Sequence, residues 1–365
     1  ARAGPDRGGE RAAMSDEHAF GRAPAFTVGI EEELLLVDPD THALAPVAAD
    51  VLGRLDGLPP GSVGHEAFAA EIELRSPAER DAHGAVQALR RARAAAAEAG
   101  ASAMGVGVHP DAVLGDAELV AKERYRRVED EMRGLIRRTP ECALHVHVGM
   151  PDPDAAVHAF NGLREALPLL QALAANSPFW FGRDSGMATA RAALVRAYPG
   201  RGVPRAFESW DDYASTADHA LRAGDLPDYT YLWWDVRLQP RLGTVEVREL
   251  DAQAPLADVQ AIAGLVHAVA VRAATDPPRR PTPPEALAWS AFMATRDGLD
   301  AAVLDAAGER RRMRDIATDA AAEHGLEEVE RLAREGNGAE RQRAIHARGG
   351  MKSLLGELVR ATSDF

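Results

Sequence analysis

The sequence predicts a mixed fold of strands and helices, either α/β or α+β, gathered in one large domain. Three observations carry this. Residues 28–37, 71–74, 144–148 and 244–248 read as β-strands that carry carboxylate, histidine or arginine side chains among apolar ones. Residues 81–98 are rich in Ala and Arg and have helical periodicity. A length of 365 residues with 46% hydrophobic content is ample for a large core.

Taken in order, residues 26–37 form the first strand, closed by the turn Asp38-Pro39-Asp40-Thr41. Residues 43–47 read as a second hairpin arm and 48–56 as a short helix. Residues 63–75 read as one strand carrying Glu66, Glu71 and Glu73, followed by the helix 81–98. A short buried strand covers 104–108, a charged helix 118–138, and a strand with two histidines 142–149. Residues 154–176 are an amphipathic helix with Pro168 as a kink point. The section 177–230 is irregular, which suits a substrate loop, with a helix start at 207–213. Residues 233–239 and 243–250 pair as strands, 258–275 is a helix, and 276–284 a Pro-rich break. The remainder reads as helical, interrupted at Gly336-Asn337-Gly338. No internal repeat is visible. Residues 1–22 are expected to be a disordered extension, with the part before Met14 an upstream start or vector remnant, and residues 23–362 one catalytic domain with a helical C-terminal part.

The 42 basic and 56 acidic residues leave a net charge of -14, which disfavours nucleic acid and anionic lipid as partners. Cys142 is the single cysteine, so an internal disulfide and a cysteine-based zinc site are both excluded, and a reducing, cytoplasmic location is expected. No run approaches ~20 uninterrupted apolar residues, so no membrane span is expected. Lys122 and Lys352 are the only lysines, a codon-bias effect.

The chemistry lies in charged side chains on strands. Period two sets Glu31 with Glu33, Glu71 with Glu73, His145 with His147, and Glu246 with Arg248 on common faces. Buried charge must be paired or bound to metal, so a polar cavity holding divalent cations is the simplest explanation. Carboxylate-rich sites with one histidine select Mg2+ or Mn2+ over zinc, and several such cations suit a nucleoside triphosphate. The competing reading is a sheet with one solvated face. Arg248 and Arg237 each read either as a bidentate clamp for phosphate or carboxylate, or as an ion-pair partner such as that of Glu246. Walker and nucleophile-elbow motifs are absent, and Cys142 reads as a small core residue.

Read together, Gly29-Ile30-Glu31-Glu32-Glu33, Glu71-Ile72-Glu73-Leu74, His145-Val146-His147-Val148-Gly149, Ser177-Pro178-Phe179-Trp180, Trp233-Trp234-Asp235-Val236-Arg237 and Gly243-Thr244-Val245-Glu246-Val247-Arg248 resemble the carboxylate–amine ligase family, glutamate–cysteine ligase type 2. The resemblance implies an α+β, glutamine-synthetase-like fold whose curved, mainly antiparallel sheet forms an active-site funnel. It implies ATP-dependent amide formation, commonly on the γ-carboxylate of glutamate, through an acyl phosphate attacked by an amine. It assigns the cations, Mg2+ or Mn2+, to Glu31, Glu33, Glu66, Glu73, His145 and Glu246. Arg248 would face the transferred phosphate and Arg237 the nucleotide, with His147 beside them and able to take the role of His145; Arg248, Glu246 and Arg237 form the catalytic set. Partners are small molecules, an amino-acid carboxylate and an amine, and self-association is expected. Two stretches depart from the family pattern: residues 289–298 lack its asparagine and aromatic–glycine pair, and Asp184-Ser185-Gly186 replaces Asp-Thr-Gly. Two other readings compete: a two-metal hydrolase (amidase or phosphatase) that needs no nucleotide, and an inactive nucleotide or metabolite sensor.

Overall fold

The computed structural model describes residues 18–276, 280–305 and 308–365. Its elements are β1 (Val28–Leu36), α1 (Ala48–Arg54), β2 (Val63–His65), β3 (Glu71–Arg75), α2 (Ala82–Glu98), β4 (Ala103–Met104), α3 (Glu123–Met132), β5 (Ala143–Gly149), α4 (Pro153–Ala174), β6 (Phe179–Trp180) and β7 (Arg183–Asp184). They continue as α5 (Ala190–Leu194), α6 (Trp210–Ala223), β8 (Val236–Gln239), β9 (Thr244–Asp251), α7 (Leu256–Thr275), α8 (Pro284–Asp297), β10 (Ala302–Leu304), β11 (Arg310–Arg312), α9 (Met313–His324), α10 (Glu327–Glu335) and α11 (Gly338–Ser363).

The main sheet runs β2-β3-β1-β5-β9-β8, with β4 also paired to the end of β1, and every ladder is antiparallel. Period two divides its side chains. Ile30, Leu34, Ile72, Leu74, Leu144, Val146, Val148, Val245 and Val247 enter the principal core. That core is completed by residues of α2, α4 and α7, among them Leu89, Phe160, Leu163, Ile262 and Val266. At roughly 25 cal/mol per Å2 of apolar surface, burying each such Leu, Ile or Phe is worth about 1.5–3 kcal/mol, which makes this face the main source of stability. A second cluster joins Leu35, Met104, Val106 and Cys142 to Leu354, Leu355 and Leu358 of α11. A register shift between Leu144 and Val146 bulges the β5–β9 ladder and bends it.

Several expectations are refined. The stretch 63–75 is a hairpin of β2 and β3, and Glu66 sits in the connection between them. The proposed arm at 43–47 reduces to a bridge between Val37 and Leu44. The charged helix at 118–138 is shorter: α3 ends at Met132, and Arg133, at φ 53°, breaks the chain into a 3-10 turn. Of the expected 104–108 strand only Met104 pairs, in β4 together with Ala103. The region after residue 284 is helical except for the β10–β11 hairpin. Residues 18–22, expected to belong to the extension, are anchored: Ala19 N donates to Pro240 O, Gly21 N donates to Met150 O, and Phe20 is buried in the core. Residues 1–17, and part of the Pro-rich break (277–279), lie outside the described residues. Helix α7 has the length and apolarity to cross a membrane, yet half of it is buried and its apolar residues complete the core described above.

Candidate active site

The residues singled out in the sequence meet on the sheet face opposite the principal core. Register explains how. Glu31 on β1 is the cross-strand partner of His145 on β5, and Glu33 that of Glu73 on β3. His147 on β5 is opposite Glu246 on β9, which in turn is opposite Arg237 on β8. Directly opposed residues have Cβ atoms about 5 Å apart, so these side chains must touch. Glu32, of opposite alternation, points to the other layer, where Arg93 of α2 donates from Nε at 2.9 Å and from Nη2. Arg93 also donates to the carbonyls of Gln253, Ala254 and Thr362, tying the sheet to α11.

Three donor groups form, in each of which the ligand atoms lie within 4.8 Å of one another: Glu31, Glu73 and His145; Glu31, His147 and Glu246; and Glu33, Glu66 and Glu73. All six residues assigned to cations thus meet, and His147 joins them. Glu66 arrives from the β2–β3 turn rather than from a strand. The electrostatics show the cost of the arrangement. Burial, with the charge of Glu66 added, pushes Glu33 up to about 8. Burial and the charges of Glu31 and Glu66 push Glu73 up to about 9. Glu66 is raised too, chiefly by burial. Carboxylates this close and this dry resist simultaneous ionisation unless a cation joins them.

The histidine end differs. Burial pulls His145 down to about 4, leaving a neutral imidazole suited to a metal. Burial also opposes charge on His147, but Glu246 and Glu31 outweigh it and raise that group. His147 Nδ1 contacts Thr244 Oγ1 at 3.0 Å, while its buried Nε2 has no hydrogen-bond partner. Burial raises Glu31, but the imidazoles of His145, with Nδ1 at 3.4 Å, and His147, with Nε2 at 3.7 Å, bring it well below the ordinary range. An oxygen-rich donor set, with one histidine nitrogen in each of two groups and none in the third, buried and short of counter-charge, fits Mg2+ or Mn2+.

The arginines take both of their expected readings. Arg248 Nε donates to Glu246 Oε1 at 2.8 Å, and Arg237 Nε donates to Oε2 at 2.6 Å, with Gln239 Nε2 on the same oxygen at 2.6 Å. Burial works against charge on Glu246, but these guanidinium groups hold it ionised far below the usual range. Arg237 spends its remaining contacts on the Thr230 and Leu232 carbonyls. Arg248 instead keeps a buried Nη1 without a hydrogen-bond partner. Burial, with the neighbouring Arg237 charge, pulls Arg248 down to about 9, still a cation at neutral pH.

Two residues here were not in the predicted site. Glu71 sits on the same face and accepts from Phe68 N at 3.3 Å and Cys142 Sγ at 3.5 Å. Its alternation with Glu73 was the signal. Arg191, on the short helix α5, is buried beside β9. It lies in the irregular section, where no periodicity marks a side chain's direction. Cys142 is fully buried, and burial with the Glu71 and Glu33 charges raises its thiol well above the ordinary value, in keeping with a core role.

The family description "Glutamate-cysteine ligase family 2" matches residues 27–360. A Rubrobacter xylanophilus protein is 39% identical over 365 residues, 95% of this chain and 100% of its own. A Halobacterium salinarum protein named glutamate–cysteine ligase is 35% identical over 350 residues, 91% of this chain and 96% of its own. In fold, the chain is similar to glutamate–cysteine ligase from Francisella tularensis crystallised in complex with AMP, with a TM-score of 0.70 at 13% identity over 93% of this chain and 89% of that one. The antiparallel sheet with its helical layer is thus the α+β, glutamine-synthetase-like arrangement expected from the sequence. The chain belongs to glutamate–cysteine ligase family 2, a family of carbon–nitrogen ligases.

Proposed function

We propose that this enzyme joins a carboxylate, most simply the γ-carboxylate of glutamate, to an amine or amino acid such as cysteine, using ATP. The observation that carries the reading is the set of three carboxylate-rich donor groups flanked by Arg248, whose Nη1 lacks a partner. Glu31, Glu33, Glu66, Glu73, His145 and Glu246 would hold Mg2+ or Mn2+. When bound, such ions neutralise a triphosphate and lower the repulsion between it and an attacking carboxylate.

In the first step a carboxylate oxygen bonds to the γ-phosphorus, the bond to the bridging oxygen breaks, and ADP leaves. In the second the amine nitrogen bonds to the acyl carbon, the bond from that carbon to the phosphate oxygen breaks so that phosphate leaves with the oxygen and its electron pair, and the nitrogen loses a proton. No protein nucleophile is required, which agrees with a buried, unreactive Cys142. Arg248 stabilises charge on the transferred phosphoryl group. Arg237 borders the nucleotide and fixes Glu246, and the Nε2 of His147 is available on the same side. Residues 23–362 act as one catalytic unit, a reading supported by a core that runs from Phe20 to Ala333. We place the enzyme in the cytoplasm, where ATP and reduced thiols are available.

The test is release of ADP from ATP and Mg2+ across pairs of amino acids and amines, with mass analysis of the product. ADP should appear only when both a carboxylate and an amine are supplied. Turnover of amides or phosphate esters without nucleotide would favour the hydrolase reading instead.

A further inference from the structure

Arg191 is 3% exposed, yet among the described residues its guanidinium makes no hydrogen bond shorter than 3.4 Å. Its Nε is buried without a hydrogen-bond partner. Its Nη1 reaches the Glu249 carbonyl only at 3.4 Å and Asp251 Oδ1 only at 3.8 Å. The acids on its side of β9 are engaged elsewhere. Asp251 accepts from Asn176 N at 2.9 Å, Ser177 Oγ at 2.7 Å and Thr189 Oγ1 at 3.0 Å. Glu249 is held by Arg201 Nη2 at 2.7 Å. Glu141, which also feels the Arg191 charge, takes both Nε and Nη2 of Arg138. A buried guanidinium with an idle donor is costly unless something completes it.

Its backbone is well fixed. Thr189 caps α5, and Arg191 N donates to Ser177 Oγ, which in turn donates to Asp251. Position along β9 then orders three arginines. Arg237 lies across from Glu246, Arg248 is two residues further on, and Arg191 approaches Glu249 and Asp251, one and three residues beyond that. One to three residues of strand span roughly 3–10 Å, the scale of a short dicarboxylate. Glu33 feels both Arg248 and Arg191, so the cation-binding wall borders both. If the nucleotide lies by Arg237 and the transferred phosphate by Arg248, the far end of the carboxylate donor comes to Arg191.

We propose that Arg191 binds the α-carboxylate of the amino-acid donor and thereby selects donors that carry one; this rests on the ligase reading above. A planar fork with an unused edge suits bidentate capture of a carboxylate, which a lysine cannot reproduce.

The test compares L-glutamate with 4-aminobutyrate, which keeps a reactive carboxylate but lacks the α-carboxylate. Wild-type enzyme should prefer glutamate strongly in kcat/KM. In R191K and R191A that preference should fall by about tenfold or more, since a site built for a polar group discriminates sharply against its absence. KM for ATP and for the amine should stay within about threefold, and the lysine variant should keep the wild-type circular dichroism spectrum. A general structural defect would lower both donors alike and leave the ratio unchanged, and that result overturns the inference. So does a wild-type enzyme indifferent between the two donors, a measurement that needs no variant to fold. Wild-type failure to release ADP with any donor–amine pair overturns the ligase reading itself, a distinguishable outcome.

Discussion

Replacing Glu33 with glutamine keeps the shape of the side chain, keeps an acceptor for Ala143 N (2.5 Å), and replaces a carboxyl that must hold a proton at neutral pH with a group that is neutral at every pH. The magnitude follows from the shift of Glu33 from 4.5 to about 8. A raised carboxyl stabilises the fold fully below pH 4.5, and that contribution is lost as pH rises through 8. At pH 7 the unfolded chain has released the proton and the folded chain retains it, which costs the metal-free wild type about 3 kcal/mol. E33Q removes that cost. Without divalent cation it should therefore be more stable than wild type, by up to about 3 kcal/mol at pH 7 in urea unfolding. With Mn2+ the order should change, because saturation at about 100 Kd stabilises wild type by about 2.7 kcal/mol and the variant has lost a ligand. ADP release should drop at least about a hundredfold, since even outer partners of metal ligands are worth 10–100-fold. A variant less stable without metal, or one that retains both the Mn2+-induced stabilisation and wild-type ADP release, would refute the reasoning.

Three further outcomes are expected. Because burial pushes Glu33 and Glu73 up to about 8 and about 9, Mn2+ binding at pH 7 should release protons and tighten as pH rises toward 9; calorimetry in buffers of different ionisation enthalpy reads this directly, and binding without proton release would contradict it. Arg93→Ala strands the fully buried Glu32 and should cost about 3–5 kcal/mol in urea unfolding, whereas a double replacement by apolar residues of similar volume should recover most of it. Cys142→Ala should leave turnover within about threefold of wild type, and the native thiol should resist alkylation until the chain unfolds.

Much of the site was legible because a strand has an unambiguous period. Alternation alone set Glu31 and Glu33 on one face and Glu32 on the other, and the structure puts them there. What alternation cannot supply is register, so the pairing of Glu31 with His145 and of Glu33 with Glu73 emerges only from the folded sheet. Glu66 was placed on a strand because 63–75 has continuous apolar content, but the chain turns at 66–70 to form a hairpin. The charged helix beyond 118 was overextended because nothing in its composition marks the positive φ at Arg133. Arg191 escaped notice for a different reason. Its direction is set by the Thr189 cap and the Ser177–Asp251 hydrogen bonds, contacts between segments distant in sequence. An ion network formed by Asp235, Arg196, Arg201 and Glu249 is equally invisible, since its members come from a 3-10 turn, two irregular positions and one strand.

The most direct measurement follows an isotope. Glutamate labelled with 18O in its γ-carboxylate, incubated with ATP, Mg2+ and the amine that supports turnover, should yield phosphate carrying one 18O for each amide formed. That transfer occurs only if the carboxylate oxygen bonds to phosphorus and leaves with it. Amide formed with unlabelled phosphate, or formed without ATP, would contradict an acyl-phosphate ligase.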